Sequence, residues 1–265
     1  MYEFDYHRPA SLDEVANLLG AHAEAKIVAG GMSLVPTLKL RLAKPSDLVD
    51  LAAIASLRGI SDEGDALVIG AMTRHAEVNR SALVKAGIPA LAALAAMIGD
   101  PAVRNRGTIG GSIANNDPAA DYPAALVGLG ATVRTTSREI AADDFFTGMF
   151  ETALAPTEIV TSVRLPKPQA AAYQKFKNPA SRYAIVGVYV AKTAGGVRVA
   201  VTGASQNGVF RHTAMEQALS ANFSPDAIAN IVTPADGLNG DIHASAEYRA
   251  HLVGVMAKRA IARAY

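Results

Sequence analysis

The 265-residue chain contains no cysteine, so it carries no disulfide, no thiolate-held zinc and no cysteine-ligated iron–sulfur cluster of its own. Any such centre belongs to a partner. An excess of either charge is also missing. Lys and Arg number 25 against 24 Asp and Glu, which argues against a general nucleic-acid-binding surface. No stretch approaches the ~18 uninterrupted apolar residues of a membrane-spanning helix. The histidines (His7, His22, His75, His212, His243 and His251) show no HExxH or comparable spacing, so no metal site is expected. GxxxxGK[ST] is absent, and no GxGxxG precedes a helix. The N-terminal MYEFDYHRP lacks the apolar stretch of a secretory leader, which predicts a cytoplasmic location.

Half of the residues are hydrophobic and 18% are charged, enough apolar material for a substantial core in one or two domains. Ser11 with Glu14 reads as a capping box opening a short helix that Gly20 stops. Lys26–Ala29 is a brief strand. Gly30-Gly31-Met32-Ser33 then turns into a helix over Leu34–Arg41, with Pro36 near its start. Asp47–Leu51 and Ala66–Ile69 read as strands, with a polar, hairpin-like Ser61–Asp65 between them. Two helices follow, one after Thr73 and one over Pro89–Ile98. Asp100–Pro118 is polar and glycine-rich and is predicted to be an extended functional loop. Asp121–Leu129 reads as a helix, and Thr132–Thr135 and Ile159–Leu165 as strands. A second, smaller domain is predicted from about residue 170. In it Ala184–Val190 and Val197–Val201 are strands around Gly195-Gly196. Thr213 and Glu216 form a capping box, and Ser245 precedes a long helix over Ala246–Ala264.

Two doubled glycines carry the chemistry. Ala29-Gly30-Gly31-Met32-Ser33 and Thr108-Ile109-Gly110-Gly111-Ser112 lack bulk where backbone amides can meet an anion, and hydroxyls flank both. Such loops suit a diphosphate held from two sides. Either doublet alone also reads as an ordinary chain reversal, and spacing alone selects no particular ligand.

In this order the segments KIVAGGMSL (26–34), GTIGGSIAN (107–115) and DPAAD (117–121) resemble the flavin-binding medium subunit of molybdenum-containing hydroxylases, the xanthine dehydrogenase and aerobic carbon monoxide dehydrogenase family. Glu158–Pro166, Lys175–Val186 and Tyr248–Leu252 extend the likeness over essentially the whole chain. The resemblance implies an α+β fold: a vanillyl-alcohol-oxidase-like (PCMH-type) FAD-binding domain over 1–170, then a small α+β carbon monoxide dehydrogenase flavoprotein C-terminal domain over 171–265. The first would comprise two α/β lobes, about 1–55 and 56–170. The implied cofactor on this chain is FAD. Ile27, Val28, Ala29, Gly30, Gly31, Met32, Ser33 and Leu34 would follow its diphosphate and the neighbouring flavin. Thr108, Ile109, Gly110, Gly111 and Ser112, with Asn115, would face them, and Asp121 would lie near the ribityl chain. Ile98, Val160 and Lys177 match further flavin contacts, and Tyr183 would cover the flavin. Ile98 is a departure, because some eukaryotic relatives stack an aromatic residue there.

Other roles stay open on sequence. Asp121 suits a helix cap, Val160 a sheet core, Lys177 a solvated charge, and Tyr183 a boundary between domains. Arg104 and Arg106 suit a phosphate, a partner carboxylate or bare surface. His75 reads as helix surface or a satisfied core group. No catalytic acid, base or nucleophile is expected. The resemblance implies a large subunit holding the molybdenum cofactor, a small subunit holding two [2Fe–2S] clusters, and a dimer of heterotrimers. Electrons would pass from those clusters through FAD to NAD or another acceptor. A stand-alone FAD oxidoreductase and a noncatalytic assembly subunit are the alternatives.

Overall fold

A computed structural model describes residues 1–264, and its three principal sheets are layered with helices. The first runs β1 (Asp5–His7), α1 (Leu12–Ala21), β2 (Lys26–Val28), α2 (Leu34–Lys39), β3 (Asp47–Asp50). Its strands are parallel in the order β1-β3-β2, with Ile27 beside Val49. Crossover helices between parallel strands cover the sheet, and Val15 of α1 packs on Val49, Leu51, Ile54 and Leu57. Ser11 caps α1 as expected, but Glu14 reaches back to the Ala10 amide (2.8 Å), and the helix continues through Gly20.

The second sheet is antiparallel. β4 (Ile60–Asp62) and β5 (Ala66–Gly70) form a hairpin at the expected polar turn, but its first strand is β4 and not Asp47–Leu51, which belongs to the first sheet. A helical excursion follows: α3 (His75–Arg80), α4 (Ala82–Gly87), α5 (Pro89–Ala96), α6 (Pro101–Arg106), α7 (Ile109–Asn115) and α8 (Tyr122–Leu129). The chain returns as β6 (Thr132–Thr135), β7 (Glu139–Ala141), α9 (Ala142–Phe145), the small ribbon β8 (Phe146–Gly148) and β9 (Glu151–Thr152), and β10 (Val160–Pro166). The sheet order is β4-β5-β10-β6-β7.

Two sequence expectations fail in this excursion. Three helices, not two, span 75–96, because Ser81 ends one helix and caps the next. Asp100–Pro118 is no extended loop, since α6 and α7 occupy most of it. Asp100 caps α6 by accepting from the Val103 amide (2.9 Å) ahead of Pro101, and Thr108 caps α7 by accepting from Gly111 (3.1 Å). Asn116 closes α7 in the left-handed region at φ 42°.

The third sheet is β11 (Ala170–Lys177), β12 (Ala184–Thr193), β13 (Gly196–Ser205) and β14 (Gly208–Arg211), antiparallel in sequence order. The two expected strands are thus the centre of a four-stranded sheet. Side chains alternate across a strand, and both faces are covered. Tyr173, Tyr189 and Ala200 join the core of the helical excursion, whereas Val188, Val190 and Val201 pack under α10 (Thr213–Ala221) and α11 (Ala246–Ile261). This double burial explains why Ala184–Ala191 is buried at every position. Helix α8 is buried on all sides between the second and third sheets, and a side chain at Gly128 would strike Tyr189 at 2.8 Å. The capping box expected at Thr213 and Glu216 is absent. His212 caps α10, and Glu216 instead binds Arg211 (2.6 Å) and the Val199 amide (2.9 Å).

Candidate functional site

A cavity of about 650 Å³ opens where β2, the α6–α7 region, the start of β10 and the loop before β12 meet. Its size suits a small-molecule site. The first glycine pair forms one rim. Gly31 adopts φ +73°, which L side chains rarely take, whereas Gly30 lies against the other motif. A side chain on Gly30 would come within 2.3 Å of the Arg106 carbonyl oxygen. One on Gly111 would approach Ala29 at 3.2 Å. The two distant motifs therefore touch and share one cleft.

Their backbones do different work. In the second motif, Ile109 donates to the Thr73 carbonyl (3.1 Å) and Gly110 to the Ala71 carbonyl (2.8 Å). Gly111 donates to Thr108 Oγ1 (3.1 Å) and Ser112 to the Thr108 carbonyl (3.0 Å). All four amides are committed inside the protein, so the expectation that both loops offer amides to a ligand is corrected. In the first motif, the amides of Gly31, Met32, Ser33 and Leu34 have no acceptor among the described residues. Gly31 and Leu34 are half-buried and Met32 and Ser33 exposed, so this run is a donor set open to an anion. Ser33, Thr37, Thr108 and Ser112 place hydroxyl-bearing residues around it.

Of the sequence-predicted residues, Ile27, Ala29, Gly30, Gly31, Met32, Ser33, Leu34, Ile98, Thr108, Gly110, Gly111, Ser112, Asn115, Asp121, Val160 and Tyr183 line the cavity. Val28, Ile109 and Lys177 do not. Val28 pairs with Asp50 in the sheet, Ile109 is fully buried in the core, and Lys177 is exposed beyond a register shift at the end of β11. Leu51, Ile98, Leu154, Ile159 and Val160 give the cavity aliphatic lining. Tyr183, 44% exposed, and Phe150, 57% exposed at φ +58°, are the aromatic residues at its mouth.

Asp121 is no helix cap. Its buried carboxylate accepts from the Tyr173 hydroxyl and from Lys175 Nζ (2.9 Å to each oxygen). Burial pushes this carboxyl up, and the charge of Lys175 with the hydrogen bonds of Tyr173 and Lys175 draws it back. Arg104 is neither bare surface nor a free phosphate ligand, since it donates to the carbonyls of Ile98 (2.9 Å) and Gly99 (3.0 Å) and fixes the turn that presents Ile98. Arg106 is exposed. Glu158 accepts from Arg138 (3.0 Å), Thr135 (2.6 Å), Ser137 (2.9 Å) and the Ala155 amide (2.9 Å), which anchors the chain leading into Ile159 and Val160.

His75 departs from its sequence reading. It is buried on the cavity wall, its ring centre is 5.3 Å from that of Tyr122, and its Nδ1 and the Tyr122 hydroxyl have no partner. Burial, with Arg104 adding to it, lowers its pKa to about 4, so the ring is neutral at physiological pH. Its burial had no signal in the sequence beyond its place at the start of α3. Among the described residues, no cluster of His, Asp or Glu could hold a metal ion, and no helix is long and apolar enough to cross a membrane.

Comparisons with known proteins agree with this geometry. Residues 2–168 match the family described as the FAD binding domain in molybdopterin dehydrogenase. The chain is 36% identical to the carbon monoxide dehydrogenase medium chain of Hydrogenophaga pseudoflava, covering 99% of this chain and 97% of that one. It is 37% identical to the nicotine 6-hydroxylase medium subunit of Paenarthrobacter nicotinovorans, covering 98% and 96%. Among solved structures, reconstituted CO dehydrogenase from Oligotropha carboxidovorans superposes with a TM-score of 0.91 at 35% identity, covering 99% of this chain and 97% of that one. Quinoline 2-oxidoreductase from Pseudomonas putida 86 gives 0.89 at 31%, covering 99% and 96%.

Proposed function

Because the chain belongs to the FAD-binding family of molybdopterin dehydrogenases and spans nearly the full length of its medium subunits, we propose that it is the FAD-carrying electron-transfer subunit of a molybdenum hydroxylase. In this role it receives electrons from [2Fe–2S] centres on a small partner subunit, and NAD or another soluble acceptor takes them away. A large partner subunit holds the molybdenum cofactor, and the whole is a dimer of heterotrimers in the cytoplasm. The absence of cysteine fits this division of labour.

The observation that carries the reading is the run of uncommitted amides from Gly31 to Leu34 beside an aliphatic slot. When bound, FAD supplies the redox chemistry, and the protein supplies grip, orientation and electrostatic surroundings. The first glycine loop holds the diphosphate. Ile98, Leu154 and Val160 exclude water from the flavin rings, so aliphatic contact replaces the aromatic packing of other relatives. Asp121 accepts from a ribityl hydroxyl, and Tyr183 shields the open side. The second glycine motif acts as the buttress that keeps the first loop in place. In this reading 1–170 is the FAD-binding domain, and the C-terminal flavoprotein domain that follows adds Ser181, Arg182 and Tyr183 to the cavity.

Copurification of the native complex tests this. Bound FAD, iron and molybdenum in one assembly, with reduction of the flavin when an organic substrate is added, is the expected result. A chain isolated alone that neither contains nor takes up FAD contradicts it.

A further inference from the structure

Behind Asp121, which lines the cavity, stands a residue from the second half of the chain. Lys175 stands on β11 with its side chain only 1% exposed, and it does not line the cavity itself. Its ammonium has three donors, and three acceptors meet them: both oxygens of Asp121 and the Met97 carbonyl (3.0 Å). Both targets lead directly to the cavity, since Asp121 lines it and Met97 precedes the lining residue Ile98. The acceptor count at Asp121 is unequal. Oδ1 takes Tyr173 and Lys175, whereas Oδ2 takes Lys175 alone, so Oδ2 keeps an open acceptor position.

Cohesion between the halves of the chain does not by itself call for this arrangement, because a well-packed apolar pair serves that purpose as well as a buried ion pair. What an apolar pair cannot supply is an oriented charged acceptor at a cavity wall. We propose that Lys175 is a positioning residue for the cofactor site, turning the Asp121 carboxylate so that Oδ2 meets a polyol hydroxyl. The inference rests on the reading that this cavity holds FAD with Asp121 against the ribityl chain. It assigns to the second half of the chain a part in cofactor binding that involves no direct contact.

The test uses the full chain and FAD itself. FAD affinity is titrated for the wild type, Lys175→Met, Asp121→Asn and the double variant, with thermal denaturation to confirm folding. Losing one charge-assisted hydrogen bond to the ligand corresponds to about a tenfold weakening or more, expected in each single variant. Because Lys175 acts through Asp121, the double variant should bind within about twofold of Asp121→Asn alone. A merely structural role for Lys175 would instead multiply its loss with that of Asp121→Asn. Wild-type affinity in Lys175→Met, or losses that multiply in the double variant, would overturn the proposal. Should Lys175→Met fail to fold, Lys175→Gln combined with Asp121→Asn replaces the buried pair with neutral groups. A folded pair that binds FAD like the wild type also overturns it, and a tenfold loss supports it. A wild-type chain that binds no FAD would instead remove the reading beneath.

Discussion

Acid sensitivity in this protein should be dominated, just below neutrality, by one imidazole. His75 is buried against Tyr122, and its pKa falls from the ordinary 6.5 to about 4 through burial and, secondarily, Arg104. In the unfolded chain the ring takes a proton near its ordinary value, while the folded chain refuses it. Stability is therefore fully present above about 6.5, is lost as pH falls, and levels off below about 4. Each pH step in that window removes about 1.4 kcal/mol, or about 3 kcal/mol over the whole of it. His75→Gln removes the titrating ring and keeps a polar group. Chemical denaturation of both proteins at about pH 7 and about pH 4.5 isolates the effect, because packing losses in the variant appear at both values and His212, also lowered by burial, is common to both. The wild type should lose about 2 kcal/mol more than the variant between those conditions. Equal losses would refute the argument and place His75 in contact with water or a partner in solution.

Other perturbations separate the roles of particular residues. Gly110→Ala would set a methyl 2.5 Å from Ala71 Cβ and 2.7 Å from its carbonyl oxygen, and should cost about 3 kcal/mol or more in urea denaturation. By contrast, Gly195→Ala meets nothing closer than Thr193 Oγ1 at 3.8 Å and should stay within about 0.5 kcal/mol of the wild type. Glu158→Gln keeps the shape of a buried carboxylate but weakens four hydrogen-bonded contacts, for an expected loss of about 1–3 kcal/mol, to which the solvent-exposed Arg138 adds little. Arg138 and the surrounding donors hold the Glu158 carboxyl well below its usual value, so its contribution is fully present above the ordinary carboxylate range, begins to fall there, and is lost only as pH falls through the depressed folded value. The Gln variant should accordingly show a shallower acid dependence there, measured by the same denaturation series.

Local chemistry made part of this molecule readable. The strand, glycine turn and helix over 26–39 were legible because each signal is short-range: an apolar pair, a residue requiring positive φ and a helix start. The region 100–118 was misjudged because glycine was taken for openness. Asp100 and Thr108 already stood as helix caps, and Gly110 lacks a side chain because Ala71 leaves no room for one. Strand β11 begins with three alanines, which favour no strand, and forms through its ladder with β12. That ladder shifts register between Phe176 and Lys177, and Lys177 is exposed, whereas Lys175 is held at Asp121 and Met97. Nothing in the sequence spacing announces that shift. The commitment of the second motif's amides is equally invisible, since their acceptors, Ala71 and Thr73, become neighbours only through the fold.

Hydrogen exchange at individual amides, with and without FAD, addresses the division of labour between the two glycine motifs most directly. The amides of Gly31 to Leu34 should exchange rapidly in the free chain and slow markedly when FAD binds, while those of Ile109 to Ser112 should be protected in both states. FAD binding that leaves Gly31 to Leu34 unprotected, or that newly protects Ile109 to Ser112 instead, would contradict the account.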